Sequence, residues 1–377
     1  GIYGAGLVIF DSSPTLRNFR VSGNQAGNPG EFGHGAGVTI IGGSPTLEDF
    51  EITGNSAMSG SGMYVYDSDP TLINLHVHDN TSWEPTFGQT AYGGGAYFRA
   101  SPPAAARRVG GITIDGATFA GNVSSGAGGG LYAVDSDLTI TSSTFANNTS
   151  AAAGAGLSVN NGSLEVSGST FTNNNTSSGG NLVSGGGIYV AGSVVALDSL
   201  DVRNNSSSFA GGGVAVETPA SFSMTHSTVV DNVAGIFGAG IYISGGATGM
   251  SLTGNTVAGN SGGSVGGNGI HLSGGDTALQ RNIVAFNLDG RIMLSTGDHT
   301  LRLWDLESGV EIRQQHFGGM PELFAVSPDG RHVLFELGGL RLWDIERWRE
   351  VQWLLGGDPA NVEAESAAFS PDGRLAL

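Results

Sequence analysis

Two short acidic turns, Asp67-Ser68-Asp69 and Asp135-Ser136-Asp137, repeat the same residue order. Paired carboxylates can do acid and base work. Two of them about 6.5–9.5 Å apart, with room for a water, form the arrangement of an inverting glycosidase. Asp67, Asp69, Asp135 and Asp137 could also supply oxygen ligands to a calcium ion. The commoner use of such aspartates is to accept turn amides. Tyr64, Tyr97 and Tyr132 each stand two residues after a glycine of a Gly-x-Gly motif. A row of such rings could stack on sugars, or it could be an aromatic ladder worth about 0.5–1.5 kcal/mol per pair. Trp83, Arg99, Arg107 and Arg108 lie in the same stretch of chain. Guanidinium groups hold carboxylates bidentately, so an acidic glycan is the ligand that suits this set.

Composition removes whole chemistries. The chain has 377 residues, 65 glycines, no cysteine and a formal charge of −18, and its 15 basic residues are all arginine. Without cysteine there is no disulfide, zinc-thiolate site, iron–sulfur cluster or thiol nucleophile. Without lysine there is no Schiff base and no P-loop lysine. An acidic chain without basic runs is a poor nucleic-acid binder. No apolar run is long enough for a membrane-spanning helix. No cofactor is implied apart from the calcium option.

The elements that would position these residues are repeats. The last glycine of Gly-x-Gly recurs at Gly6, Gly37, Gly62, Gly95, Gly130, Gly156, Gly187, Gly213, Gly240 and Gly269. An apolar residue three before an asparagine recurs in the same units, as at Val21/Asn24, Phe119/Asn122, Phe145/Asn148 and Phe171/Asn174. The Gly-to-Asn spacing is 18 residues in seven of the ten units. The strand after each Gly-x-Gly alternates with period 2, so its first and third columns face inward and its second, the tyrosine column, faces outward. Units this short bury their apolar side chains only by stacking on neighbours. The pattern predicts an all-β parallel β-helix of ten coils over residues 1–288, a rod of roughly 48 Å. The recurrent asparagines are expected at turns, with φ > 0 and side chains laddered by amide hydrogen bonds. Asp67 and Asp135 fall at equivalent turns two coils apart, about 9.6 Å along the axis, flanking Arg99. The longest connection, residues 81–94, carries Trp83, and the one large insertion, residues 99–111, carries Arg107 and Arg108. Long loops on a rigid repeat are usual places for binding.

Gly94-Gly95-Ala96-Tyr97 and Gly129-Gly130-Leu131-Tyr132, with Phe119-Ala-Gly-Asn122, Phe145-Ala-Asn-Asn148 and Phe171-Thr-Asn-Asn174, resemble the polymorphic outer-membrane protein repeats. These lie within the pectin-lyase-like right-handed β-helix class. The resemblance implies a secreted or cell-surface protein, often an adhesin, with a minority of polysaccharide-cleaving enzymes.

Residues 289–377 differ in composition and hold four of the five tryptophans. Leu301-Arg-Leu-Trp304-Asp305 and Leu340-Arg-Leu-Trp343-Asp344, with Ser327-Pro-Asp-Gly-Arg331 and Ser370-Pro-Asp-Gly-Arg374, resemble WD40 repeats. The segment makes about two blades of an incomplete propeller, and it offers a surface for a protein partner. Both ends look cut, as in an excerpt of a longer protein.

The expectation is a non-enzymatic adhesin or glycan-binding rod, extracellular or on the cell surface. Its ligand residues are Tyr64, Tyr97, Tyr132, Trp83, Arg99, Arg107 and Arg108. The alternatives are a polysaccharide lyase or glycoside hydrolase using Asp67, Asp135 and Arg99, and a structural or protein-interaction scaffold.

Overall fold

The computed structural model describes residues 4, 6–28, 32–83, 91–101, 111–176, 183–245, 249–262, 268–273, 277–280, 282–284, 292–297, 299–305, 310–319, 321–327, 332–345, 347–355 and 369. Among these the chain forms strands and turns, with no helix. Glycine, asparagine and β-branched residues disfavour helix at almost every unit.

The units contribute strands to three parallel sheets. Ten parallel strands, from Leu7–Phe10 to Ile270–Ser273, stack in the first sheet. Nine two-residue strands, from Gln25–Ala26 to Ser261–Gly262, form the second. Eighteen form the third: one eight-residue strand in each of the first two coils, Thr15–Ser22 and Thr46–Thr53, and two shorter strands in each of the other eight. The tenth unit adds Ile270–Ser273, Thr277–Gln280 and Ile283–Val284 and has no described strand in the second sheet. The result is about nine complete turns rather than the expected ten.

Register follows the period-2 pattern. Leu7, Val38, Met63, Ala96 and Leu131 are cross-strand partners, as are Ile9, Ile40, Val65, Phe98 and Ala133. Both columns face the core, and apart from the first-coil residues they are almost wholly buried. Phe119, Phe145 and Phe171 stack within it, with centroids 4.9 and 4.7 Å apart and planes within 6° and 3°.

The asparagines ladder, but one residue away from the strained backbone. Nδ2 of Asn24 donates to Oδ1 of Asn55 at 3.0 Å, and the same bond runs on through Asn80, Asn122, Asn148, Asn174, Asn205, Asn232 and Asn260. From Asn55 onward these side chains are buried. Positive φ falls on the residue before each, as at Asn147 (56°), Asn173 (55°), Asn204 (56°) and Gly121 (61°). The preceding residue makes the turn, which leaves the laddered asparagine free to point inward.

After Val284 the parallel stacking gives way to two antiparallel sheets. Ile292–Gly297, Thr300–Asp305 and Val310–His316 form the first. Glu322–Val326, His332–Glu336, Leu340–Asp344 and Arg349–Leu355 form a four-stranded meander. They share a small core of Leu294, Leu301, Leu303, Val333, Phe335, Trp343 and Ile345.

Candidate functional site

Tyr64, Tyr97 and Tyr132 are cross-strand partners on the outer side of the first sheet. Neighbouring ring centroids lie 5.4 Å apart. The structure corrects the expectation of an open stripe, because the three are only 4%, 6% and 6% exposed. They form a second, outer core with Ala127, Tyr66, Tyr92, Val134 and Ala152. Tyr92 stacks on Tyr132 at 4.5 Å, and His34 stacks on Tyr64 at 5.1 Å. The corner preceding each strand closes over the ring column, and it can do so because it carries glycine. A Cβ on Gly128, where φ is +69°, would lie 2.6 Å from the Cβ of Tyr132. Among the described residues the three rings are packed against protein rather than presented to solvent.

The surface row lies two residues further along each strand. Tyr66, Arg99, Val134, Asn160, Ala191, Glu217 and Ser244 are successive cross-strand partners. Arg99 is exposed and the others are half-buried. Tyrosines anchor three of them. Tyr97 lies against the Arg99 guanidinium and raises its pKa further. Asn160 Nδ2 donates to the Tyr132 hydroxyl at 2.9 Å. The Tyr189 hydroxyl donates to Glu217 Oε2 at 2.9 Å. Asn160 and Glu217 were missed by motif reading, since neither belongs to a repeated motif. The available signal was their shared position, the fourth residue after Gly-x-Gly.

Burial pushes the Tyr97 hydroxyl up to about 12, and Arg99 opposes the shift. Burial also raises Tyr132 and Tyr189, with Glu217 adding to the second. An unfolded tyrosine ionises near 10. Between about pH 10 and 12 the unfolded chain therefore loses phenolic protons that the folded chain keeps, and stability falls as pH rises. Absorbance titration at 295 nm is expected to show these tyrosines ionising only as the fold opens, with each pH unit costing about 1.4 kcal/mol per held proton.

In the acidic turns, Asp67 and Asp137 accept backbone amides and Asp135 accepts a side-chain amide. Asp67, with φ 48°, accepts from the Ser101 amide and from Ser101 Oγ at 2.6 Å. Asp135, with φ 52°, accepts from Asn161 Nδ2 at 3.1 Å. Asp137 accepts from the Ser163 amide and hydroxyl at 2.9 and 2.6 Å. The amide of Asp69 donates to the Gly43 carbonyl at 3.3 Å. Among the described residues no three histidine or acidic side chains are grouped so that they could hold a metal ion. Trp83 is half-buried and its amide donates to the Ala57 carbonyl. Arg107 and Arg108 lie outside the described residues. A separate groove of about 440 Å³ opens on the third sheet beside Asp49, Glu51, Asn74, His76, His78 and Gly116.

The family described as the right handed beta helix region matches residues 5–195 and 104–288, most of the chain. The chain belongs to the right-handed β-helix family. No curated protein matches this β-helix. A solved structure, the Kuenenia stuttgartiensis Hydrazine Synthase, is similar at 23% identity and a TM-score of 0.22. The match covers 25% of the β-helix chain and 27% of the other, so it spans about a quarter of that protein. No helix among the described residues is long and apolar enough to cross a membrane.

Proposed function

We propose that this β-helix is a non-enzymatic binding rod that takes an acidic glycan at coils three to five. The observation that carries this reading is Arg99: exposed, cationic, and backed by buried tyrosines that fix its place. A guanidinium held this way is prepared to take a carboxylate without much loss of side-chain freedom. The chain's overall charge of −18 opposes an anion at long range. At physiological salt that field is screened beyond about 8 Å, which leaves the local charge of Arg99. Against catalysis stands the use of the Asp67 carboxylate, which accepts both the amide and the hydroxyl of Ser101. In this reading the rod works outside the cell or on its surface, as a glycan-binding adhesin. The resemblance to polymorphic outer-membrane repeats supports that setting. The four-stranded meander around Trp343 supports a blade-like, WD40-type surface for a protein partner.

Oligogalacturonate titrated calorimetrically into the 377-residue chain is expected to bind without release of reducing or unsaturated ends. Arg99→Ala is expected to weaken binding at least tenfold, equivalent to about 1.4 kcal/mol. Cleavage that Asp67→Asn abolishes would replace this reading with a lyase or hydrolase.

A further inference from the structure

We propose that His78, Glu51 and His76 form a zinc site in the groove on the third sheet, where the metal ties the second coil to the third. The site lies on a different sheet from Arg99 and shares no residue with the glycan reading.

Strand geometry brings the three residues together. His76 and His78 are alternate residues of one strand, so both side chains stand on its outer face while Val77 is buried between them. Glu51 is the cross-strand partner of His76, and Thr53 is that of His78. Partners lie about 4.8 Å apart, and a diagonal neighbour is within reach of a long side chain. Glu51 makes that diagonal contact, with its Oε1 3.4 Å from His78 Nε2. All three residues line the groove of about 440 Å³.

The contacts of His78 point to a metal cation. Its Nδ1 lies 2.8 Å from Asp79 Oδ2. An ionised carboxylate only accepts, so Nδ1 carries the hydrogen. In the neutral ring the lone pair of Nε2 then faces the Glu51 carboxylate, and two acceptors oppose each other. A proton shared between them would draw the atoms to about 2.7–2.9 Å. Zinc bonds to nitrogen and to carboxylate oxygen at about 2.0–2.2 Å, which sets neighbouring tetrahedral ligands about 3.3–3.5 Å apart. The observed 3.4 Å is the metal spacing. The surrounding contacts fit as well. A carboxylate on the far nitrogen of a histidine ligand fixes the ring and raises its basicity, which is the place Asp79 takes. Arg20 Nε lies 3.3 Å from Glu51 Oε2, which leaves Oε1 to the metal.

As the side chains stand, two donors are at ligand separation and a third is not. His76 supplies the third by rotating about its side-chain bonds. It is exposed, and its ring takes part in none of the described hydrogen bonds or ion pairs. A water completes four-coordination. Two imidazoles and one carboxylate suit zinc, whereas calcium and magnesium take oxygen ligands.

Zinc titrated calorimetrically into the untagged full chain, with cobalt as its spectroscopic substitute, tests the site. One equivalent is expected to bind, and cobalt should give the intense visible absorption of a four-coordinate ion. His78→Ala should weaken zinc at least tenfold. Glu51→Gln and His76→Ala should each weaken it at least fivefold and lose the cobalt band, with circular dichroism confirming the fold. His226→Ala removes a histidine paired with Asp198 on the eighth coil and should change the affinity less than twofold. Zinc should raise the urea midpoint of the parent chain and leave that of His78→Ala unchanged. Binding that His226→Ala weakens as much as His78→Ala would be adventitious and would overturn the site. Full affinity in His76→Ala would overturn the three-ligand arrangement. Absence of zinc binding would leave the contact between His78 and Glu51 as an ion pair and overturn the proposal.

Discussion

Replacing Asn148 by alanine is expected to lower the free energy of unfolding by about 2–6 kcal/mol, for a loss of one buried side chain. The magnitude follows from what the amide holds. Its Nδ2 donates to Asn174 Oδ1 and to the Phe119 carbonyl, both at 2.9 Å. Its Oδ1 accepts from both the amide and Nδ2 of Asn122 at 3.0 Å. Truncation leaves the Asn122 amide and one Nδ2 hydrogen of Asn122 without their acceptor, in a side chain that is fully buried. Each orphaned group costs about 1–3 kcal/mol. The adjacent Asn147→Gly is the control. Asn147 is exposed with φ 56°, a conformation that glycine adopts freely, so its stability should change by a few tenths of a kcal/mol. Urea unfolding of both variants gives the comparison. Equal effects would show that the turn, rather than the ladder, carries the stability.

Phe145→Ala is expected to cost about 3–5 kcal/mol. Its ring is fully buried between Phe119 and Phe171, nearly parallel to both. A cavity there cannot collapse easily, because the coils above and below are fixed by parallel ladders through Phe119, Phe145 and Phe171. Two stacked pairs are lost as well, each worth about 0.5–1.5 kcal/mol. Hydrogen exchange should locate the weakening in coils four to six, where residues 118–120, 144–146 and 170–172 pair. In a stacked repeat each coil touches only its neighbours. Uniform loss of protection from coil one to coil ten would contradict that local account.

Much of the scaffold was legible in the residues, and the reason is period 2. Leu131, Ala133 and their counterparts alternate with outward residues, so the inward columns can be written down before any coordinates are seen. The asparagine ladder was legible as a column, but its turn was assigned one residue late. Asn147-Asn148 and Asn173-Asn174 offer two identical side chains, and only the backbone separates the strained one from the buried one. The candidate site was less legible. The tyrosine column faces outward, as the alternation requires, but burial depends on what covers it. Here the cover is a glycine corner whose close approach at Gly128 is a property of the folded turn. Asn160 and Glu217 share a row only because coils of 26 and more residues stack in register, and no local motif announces them. Residues 289–377 read as about two WD40-like blades; among the described residues the structure shows small antiparallel sheets with a shared core and not a propeller.

In the proposed function the tyrosines back the site and Arg99 meets the ligand. The most direct test labels the folded protein with a guanidine-selective and a phenol-selective reagent, with and without oligogalacturonate, and reads each peptide by mass spectrometry. Arg99 is expected to be labelled and to be protected by the oligosaccharide, while Tyr64, Tyr97 and Tyr132 stay unlabelled in both states. Labelling of those tyrosines in the free protein, with protection by the oligosaccharide and none at Arg99, would contradict it.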